Sequence, residues 1–346
     1  MRNGCTTLCL FFWYIQPCLS WTPVFSLAGV RLTSQGSQNP FETLRNCQVV
    51  DPQTGDTCAA VDESGGQRRR RRQLVVLMPQ LGDFDSSEYA EMLVSVLPDL
   101  ESAGIDLRVV GVGTVGSAKK FCGFSGLPLE VVRVDPKASV HAQMGCHRGP
   151  DWDVPSFLPD ALLIVFAKLV GGDQDGSLDV ARSVARAWLN YMAMCAGIAA
   201  PGTLREILRG YLGDKTAPER LRNDETVTAG PISVTGVRDV KIGPIEYQSL
   251  WKDEKGYQRP AELATVRLRA MVEILSNLNE YVPDQRFVDW RGATYLFESD
   301  GTVLYEYKDR GVLTYSKTMA RPLSFLAPYI GDQRARNPLG LADPTM

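Results

Sequence analysis

The chain has 346 residues, 44% hydrophobic and 22% charged, with a formal net charge of -3 at pH 7. That balance supplies core for one large domain or two small ones, and a charge so near zero gives no bulk footprint for nucleic acid, which is not expected as a partner. Cysteines stand at Cys5, Cys9, Cys18, Cys47, Cys58, Cys122, Cys146 and Cys195, with no C-x-x-C pair, and the histidines are His141 and His147 alone. This usage argues against a structural zinc site and against a close-spaced dithiol motif, so neither metal nor cofactor is expected.

Residues 1–40 read as an address. Arg2 gives a basic start, and Cys5–Leu19 is an apolar stretch of signal-peptide length, shorter than a membrane span. The hydroxyl-rich Phe25–Gln38 follows, with Arg31 and no acid before Glu42. A signal core followed by a transit-like segment predicts a two-step route into a plastid, with a plain secretory signal as the alternative. No transmembrane span is expected in the mature protein. Residues 41–72, polar and ending in Arg68–Arg72, read as a disordered basic linker.

From Gln73 the pattern becomes strand, loop, helix, strand. Leu74–Met78 is a short apolar strand, Pro79–Phe84 a loop, and Asp85–Ala103 a helix. Asp85, Ser86 and Glu88 suit its first turn, and Tyr89, Met92, Leu93, Val96 and Leu100 recur at helical spacing. Asp106–Val112 and Val131–Val134 are further strands, and alternation of this kind predicts a parallel α/β sheet. The loop at the carboxyl end of the first strand is where such sheets place their chemistry.

Gly111-Val-Gly-Thr-Val-Gly116 matches G-x-G-x-x-G after a strand, with Asp135 at the end of the next. That is the outline of a dinucleotide fingerprint. It follows the second strand, however, and its helix must fit into Ser117–Phe124, so a tight turn into a short helix is the competing reading. Residues 151–285 turn mainly helical: Leu158–Val170 reads as a buried helix, Leu178–Gly197 as a long one, and others open at Pro201 and Pro260, with strand-like pieces of no assigned place in 225–258. Ala293–Phe297 and Thr302–Glu306 flank an Asp-Gly turn and predict a hairpin. The tail 333–346 is expected to be loose.

Several separated pieces resemble one family in the right order. They are Gln80-Leu-Gly-Asp-Phe-Asp85, Lys120-Phe-Cys-Gly123, Val134-Asp-Pro136, Ala199–Glu206, Arg259–Thr265, Trp290–Tyr305 and Tyr307-Lys-Asp-Arg-Gly311. Over Gln73–Ile330 the chain is similar to peroxiredoxin-like proteins of the AhpC/TSA type found in plastids and cyanobacteria. The resemblance implies a thioredoxin-like α/β fold over 73–332 with a large, mostly helical insertion at about 151–285. It also implies a cysteine nucleophile at the start of the first helix, in a loop ending T-x-x-C, with an arginine nearby. Pro79–Glu88 contains no cysteine. The position falls on Asp85 or Ser86, Asp83 stands near the family's threonine, and Arg291 matches the arginine. A degenerate site of Asp83, Asp85, Ser86 and Arg291 is therefore expected, with an Arg–Asp contact replacing thiolate chemistry. The leading reading is a redox-family protein acting by binding or assembly with a protein partner, a homodimer being compatible with it. The alternatives are a thiol oxidoreductase using Cys122 or Cys146, and nucleotide binding through Gly111–Gly116.

Overall fold

The computed structural model describes residues 39–61, 71–171, 177–195, 270–311, 315–316 and 322–336, with four short strands between 226 and 248. Its centre is a seven-stranded sheet built from β1 (Gln48–Val50), β2 (Thr57–Ala59), β3 (Arg72–Gln80), β4 (Ile105–Val112), β5 (Val132–Asp135), β10 (Ala293–Phe297) and β11 (Val303–Lys308). Their order across the sheet is β11-β10-β3-β4-β5-β1-β2. β3, β4 and β5 run parallel, and β10, β11, β1 and β2 extend the sheet antiparallel on both sides. Four further strands, β6 (Thr226–Ala229), β7 (Ile232–Thr235), β8 (Asp239–Ile242) and β9 (Ile245–Gln248), form a separate antiparallel sheet.

Side chains alternate across a strand, so one strand feeds two cores. Leu74, Val76 and Met78 of β3 face α2 (Phe84–Ser102) and α3 (Val115–Ser125), whose Tyr89, Leu93, Val96, Leu100 and Phe121 complete that core. Val75 and Leu77 face the other way, onto α1 (Pro40–Asn46) and α4 (Ser139–Gln143) with Phe41, Leu44 and Val140. The five apolar positions predicted along α2 are all buried.

Four expectations change. The reading of 41–72 as a disordered linker does not hold for 41–61. There α1 packs Phe41 edge-on to Phe297 with ring centroids 5.2 Å apart, and β1 pairs with β5. These elements are three to seven residues long and depend on distant partners, so no local period announces them. Arg71 and Arg72 close the arginine run inside the fold, Arg71 on Asp106 at 2.9 Å and Arg72 on Glu298 at 3.0 Å; Arg68–Arg70 lie outside the described residues. The mostly helical insertion also carries the β6–β9 sheet. The expected buried helix is α5 (Asp160–Leu169), which buries Leu163 and Ala167 against α6 (Leu178–Cys195) but exposes Leu162, Val165 and Leu169. The tail is helical at Asp332–Arg336, where Ala335 is buried and Arg334 meets Asp99 at 2.8 Å. The helices expected from Pro201 and from Pro260 to 269 lie outside the described residues.

Candidate functional site

The loop from β3 to α2 ends in Asp83, the N-cap of α2, whose Oδ1 accepts the amide of Asp85 at 3.3 Å. A short polar side chain satisfies an otherwise unpartnered amide there, and a carboxylate also suits the positive end of a long helix. Its other oxygen, Oδ2, lies 3.0 Å from Nη1 of Arg291, and both side chains are almost fully buried. Arg291 comes from the turn into β10, the neighbour of β3, so sheet pairing delivers the cation to the helix start. Its Nη2 donates to the carbonyl of Val288 at 3.2 Å, and its guanidinium lies over the ring of Tyr191 at 5.5 Å. Burial opposes the charge of Arg291, but Asp83, Tyr191, Asp309 and Asp85 outweigh it, and its pKa is raised. Ser86 is fully buried; its hydroxyl donates to the carbonyl of Gln80 and shares a 2.8 Å hydrogen bond with Tyr315. Tyr315 stacks on Tyr89 at 4.5 Å.

The mouth of this loop is covered. α6 lays Tyr191 and Met194 into the same core as α2. A second cover runs from α7 (Leu278–Tyr281) to Asp289. A Cβ on Gly82 would stand 2.4 Å from Val282 and 2.8 Å from Tyr281, so only glycine lets that cover sit down on the loop. Gln80 donates to the carbonyl of Asp284 at 2.9 Å, Ser117 to that of Glu280 at 2.8 Å, and Trp188 of α6 to Gln285 at 3.0 Å. Asp83, Asp85, Ser86 and Arg291 end up buried together.

Residues 92–311 match the model of the AhpC/TSA antioxidant enzyme family, well over half of the chain. The chain belongs to that family. No curated protein and no solved structure matches it. The match begins inside α2, more than two turns beyond the loop just described, and runs through the β10–β11 hairpin to Gly311. The AhpC/TSA assignment agrees with a redox function of peroxiredoxin or thioredoxin type.

At the β3–α2 loop, where the resemblance leads one to expect a cysteine nucleophile, this AhpC/TSA protein has a carboxylate pairing with arginine and a serine pairing with tyrosine. A carboxylate does not attack the O–O bond usefully, and no base lies among the described partners of Ser86. The thiols lie elsewhere. Cys122 on α3 packs against the α2 side of the sheet, and Cys146, after α4, belongs to the core on the opposite side. The sheet separates them. Burial pushes the thiols of both up to about 12, with Glu130 adding for Cys122; for Cys146, Lys308 pulls down and Asp309 pushes up. Burial, then Asp135, pushes Cys47 up to about 11. The thiolate is the nucleophile, so these environments oppose reactivity.

Sequence reasoning missed the parts that arrive from far along the chain: Tyr191, Tyr315 and Cys195. Cys195 ends α6 one turn beyond Tyr191. Burial first, then Asp83 and Asp85, push its thiol up to about 12 against the pull of Arg291. The signal available was the i, i+4 spacing on a long helix, which places both residues on one face without saying what that face meets.

The Gly111–Gly116 motif is a packing device. Leu81 occupies the space over Gly111, 2.4 Å from where a Cβ would stand. Thr114 caps α3 in a reciprocal box with Ser117, and Glu280 covers that helix start. Asp135, the expected ribose ligand, accepts from the amides of Lys137 and Val140 and from the Ser139 hydroxyl. The Thr114 and Ser117 amides and the Asp135 carboxylate are bonded within the chain, which speaks against the nucleotide reading. Among the described residues no group of three or more His, Cys, Asp or Glu could hold a metal ion, and no helix is long and apolar enough to cross a membrane.

Proposed function

We propose that this AhpC/TSA protein keeps the family's fold for binding or redox-linked assembly in a plastid and performs no peroxide reduction at the usual position. One observation carries this: the start of α2 holds the buried Asp83–Arg291 pair, 3.0 Å apart, where the chemistry needs an accessible thiolate. The raised Cys122 and Cys146 speak against a relocated thiol, and the filled turn at Gly111 against a nucleotide. The plastid assignment rests on the signal-like Cys5–Leu19 followed by the acid-free Phe25–Gln38.

The test is hydrogen peroxide consumption by the purified full-length protein with thioredoxin or dithiothreitol as reductant, with mass-spectrometric mapping of oxidised cysteines and the location of a C-terminally tagged chain as parallel readouts. The expected result is a rate equal to that of reductant alone, no sulfenic acid or disulfide favoured at Cys122 or Cys146, and a plastid signal. Turnover abolished by Cys122→Ser or Cys146→Ser would make it an enzyme with a relocated nucleophile. A tag confined to the secretory pathway would remove the plastid assignment.

A further inference from the structure

The loop after α4 and the far end of β11 lie side by side. The amide of Arg291 donates to the carbonyl of His147 at 2.8 Å, and that of Asp309 to the carbonyl of Gly292 at 2.9 Å, so consecutive residues at the head of β10 hold both segments. Lys308 ends β11 opposite Ala293. Its Nζ reaches over the turn at Gly145, 3.7 Å from where a Cβ would stand there. Half-buried His147 and Lys308 are thus gathered with exposed Arg310 on the α4 side of the sheet. Burial first, then Arg310 and Lys308, hold the His147 imidazole below its ordinary pKa, so both charges are felt at the ring.

The neighbouring acids do not balance this group. Glu306 reaches Lys308 at only 3.6 Å. Asp309 is buried, accepts the Gly311 amide at 3.1 Å, and its charge favours Arg291. Arg148, next to His147, is engaged by Asp289 at 2.9 Å and by the Arg286 carbonyl at 3.1 Å, and does not join the group. Among the described residues no carboxylate pairs with Arg310. Like charges held beside a half-buried imidazole cost stability, and an anion seated among them removes that cost. The donors come from three separate points: a guanidinium fork, an ammonium and an imidazole N–H. A phosphate or sulfate group offers an oxygen to each, whereas a carboxylate offers two in one plane.

We propose that His147, Lys308 and Arg310 form a binding site for a tetrahedral oxyanion, the phosphate or sulfate group of a small molecule. The site needs no thiol and stands whether or not the chain reduces peroxide.

The two histidines make the test direct. Burial holds His141 down to about 4, so above pH 5 the imidazole that titrates is that of His147. The full-length chain is titrated from pH 8 to 5 by NMR of its imidazoles, in sodium sulfate and in sodium chloride of equal ionic strength; sulfate keeps its double charge throughout. The expected result is a His147 pKa at least about half a unit higher in sulfate. Arg310→Gln should raise that pKa in chloride, because a like charge is gone, and should shrink the difference between the salts. Lys119→Gln, exposed on α3 across the sheet, removes the same charge elsewhere and should change neither value. Calorimetry near pH 6 with inorganic phosphate and with glycerol phosphate then reads affinity, and their ratio distinguishes a free ion from the phosphate end of a larger molecule. Arg310→Gln and Lys308→Gln should each weaken binding about tenfold. A His147 pKa equal in the two salts, heat from neither phosphate, or Lys119→Gln weakening binding as much as Arg310→Gln each overturns the proposal.

Discussion

Replacing Arg291 by methionine is expected to lower the stability of the folded chain by about 3–5 kcal/mol, the cost of leaving one partner of a buried ion pair alone. Arg291 is 1% exposed and holds Asp83 at 3.0 Å, so the substitution strands a carboxylate that water cannot reach. It also removes the guanidinium beneath Tyr191 and the bond to the Val288 carbonyl, two of the ties between the sheet and the inserted cover. A small domain keeps only ~5–15 kcal/mol in all, so the loss should be plain in urea or heat. The double variant Asp83→Asn, Arg291→Met should recover much of it, because an uncharged pair carries no stranded charge. Urea melts of the two single variants and the double give the coupling directly. If Arg291→Met cost under about 1 kcal/mol, the pair would not be what locks α2 to β10.

That pair explains why so much of the fold was legible and so little of the site. β3, α2 and β4 announce themselves locally: an apolar run ending at a proline, an acidic first turn, five apolar positions at helical spacing, then a second apolar run. The hairpin of β10 and β11 carries its own Asp-Gly turn. Each rests on contacts near in sequence, and period and cap chemistry read such contacts well. The lining of the site does not. Asp83 lies with Arg291, Tyr191 and Tyr315, each more than a hundred residues away in the chain; the Arg–Asp contact is expected only because the resemblance matches Arg291 while the loop lacks a cysteine, and nothing local announces Tyr191 or Tyr315. α5 shows the limit in another form. Leu-Leu-Ile-Val-Phe is apolar on nearly every side, and a helix of that kind reads as buried all round. Which face it shows to α6 is decided by Leu163 and Ala167, small and branched enough to lie close, and no single-chain pattern distinguishes them from Leu162 and Val165. Residues 41–61 failed oppositely, being too short for a period and fixed by Phe297 and β5, far along the chain.

The second large effect concerns thiol reactivity. With Cys122, Cys146 and Cys195 all raised to about 12, the thiolate fraction at neutral pH falls roughly three orders of magnitude below that of a free cysteine near 8.5. Iodoacetamide labelling of the native protein, read by mass spectrometry at each cysteine, should therefore run about a thousandfold slower at these three than for free cysteine. Between pH 7 and 9 the rate should climb about tenfold per pH unit without a plateau, because every step stays below the raised pKa. The Asp83→Asn variant separates them. Asp83 is one of the charges that raise Cys195, whereas Cys122 is raised through Glu130 and Cys146 through Asp309 beyond their burial. Removing the Asp83 charge also leaves Arg291 free to favour the Cys195 thiolate. Labelling of Cys195 alone should then accelerate, by up to about tenfold for each pKa unit lost, while Cys122 and Cys146 keep their rates. Fast labelling of Cys122 or Cys146 in the wild type would reverse the assignment, since a thiol reacting like a free one cannot be held protonated by burial and the relocated nucleophile would be back in place. Equal acceleration at all three would instead mean that Asp83→Asn had opened the fold, and melting of the same sample distinguishes that outcome. Selective acceleration at Cys195 would establish that the inserted helix brings a thiol to the Asp83–Arg291 pair and that the carboxylate standing there keeps it inert.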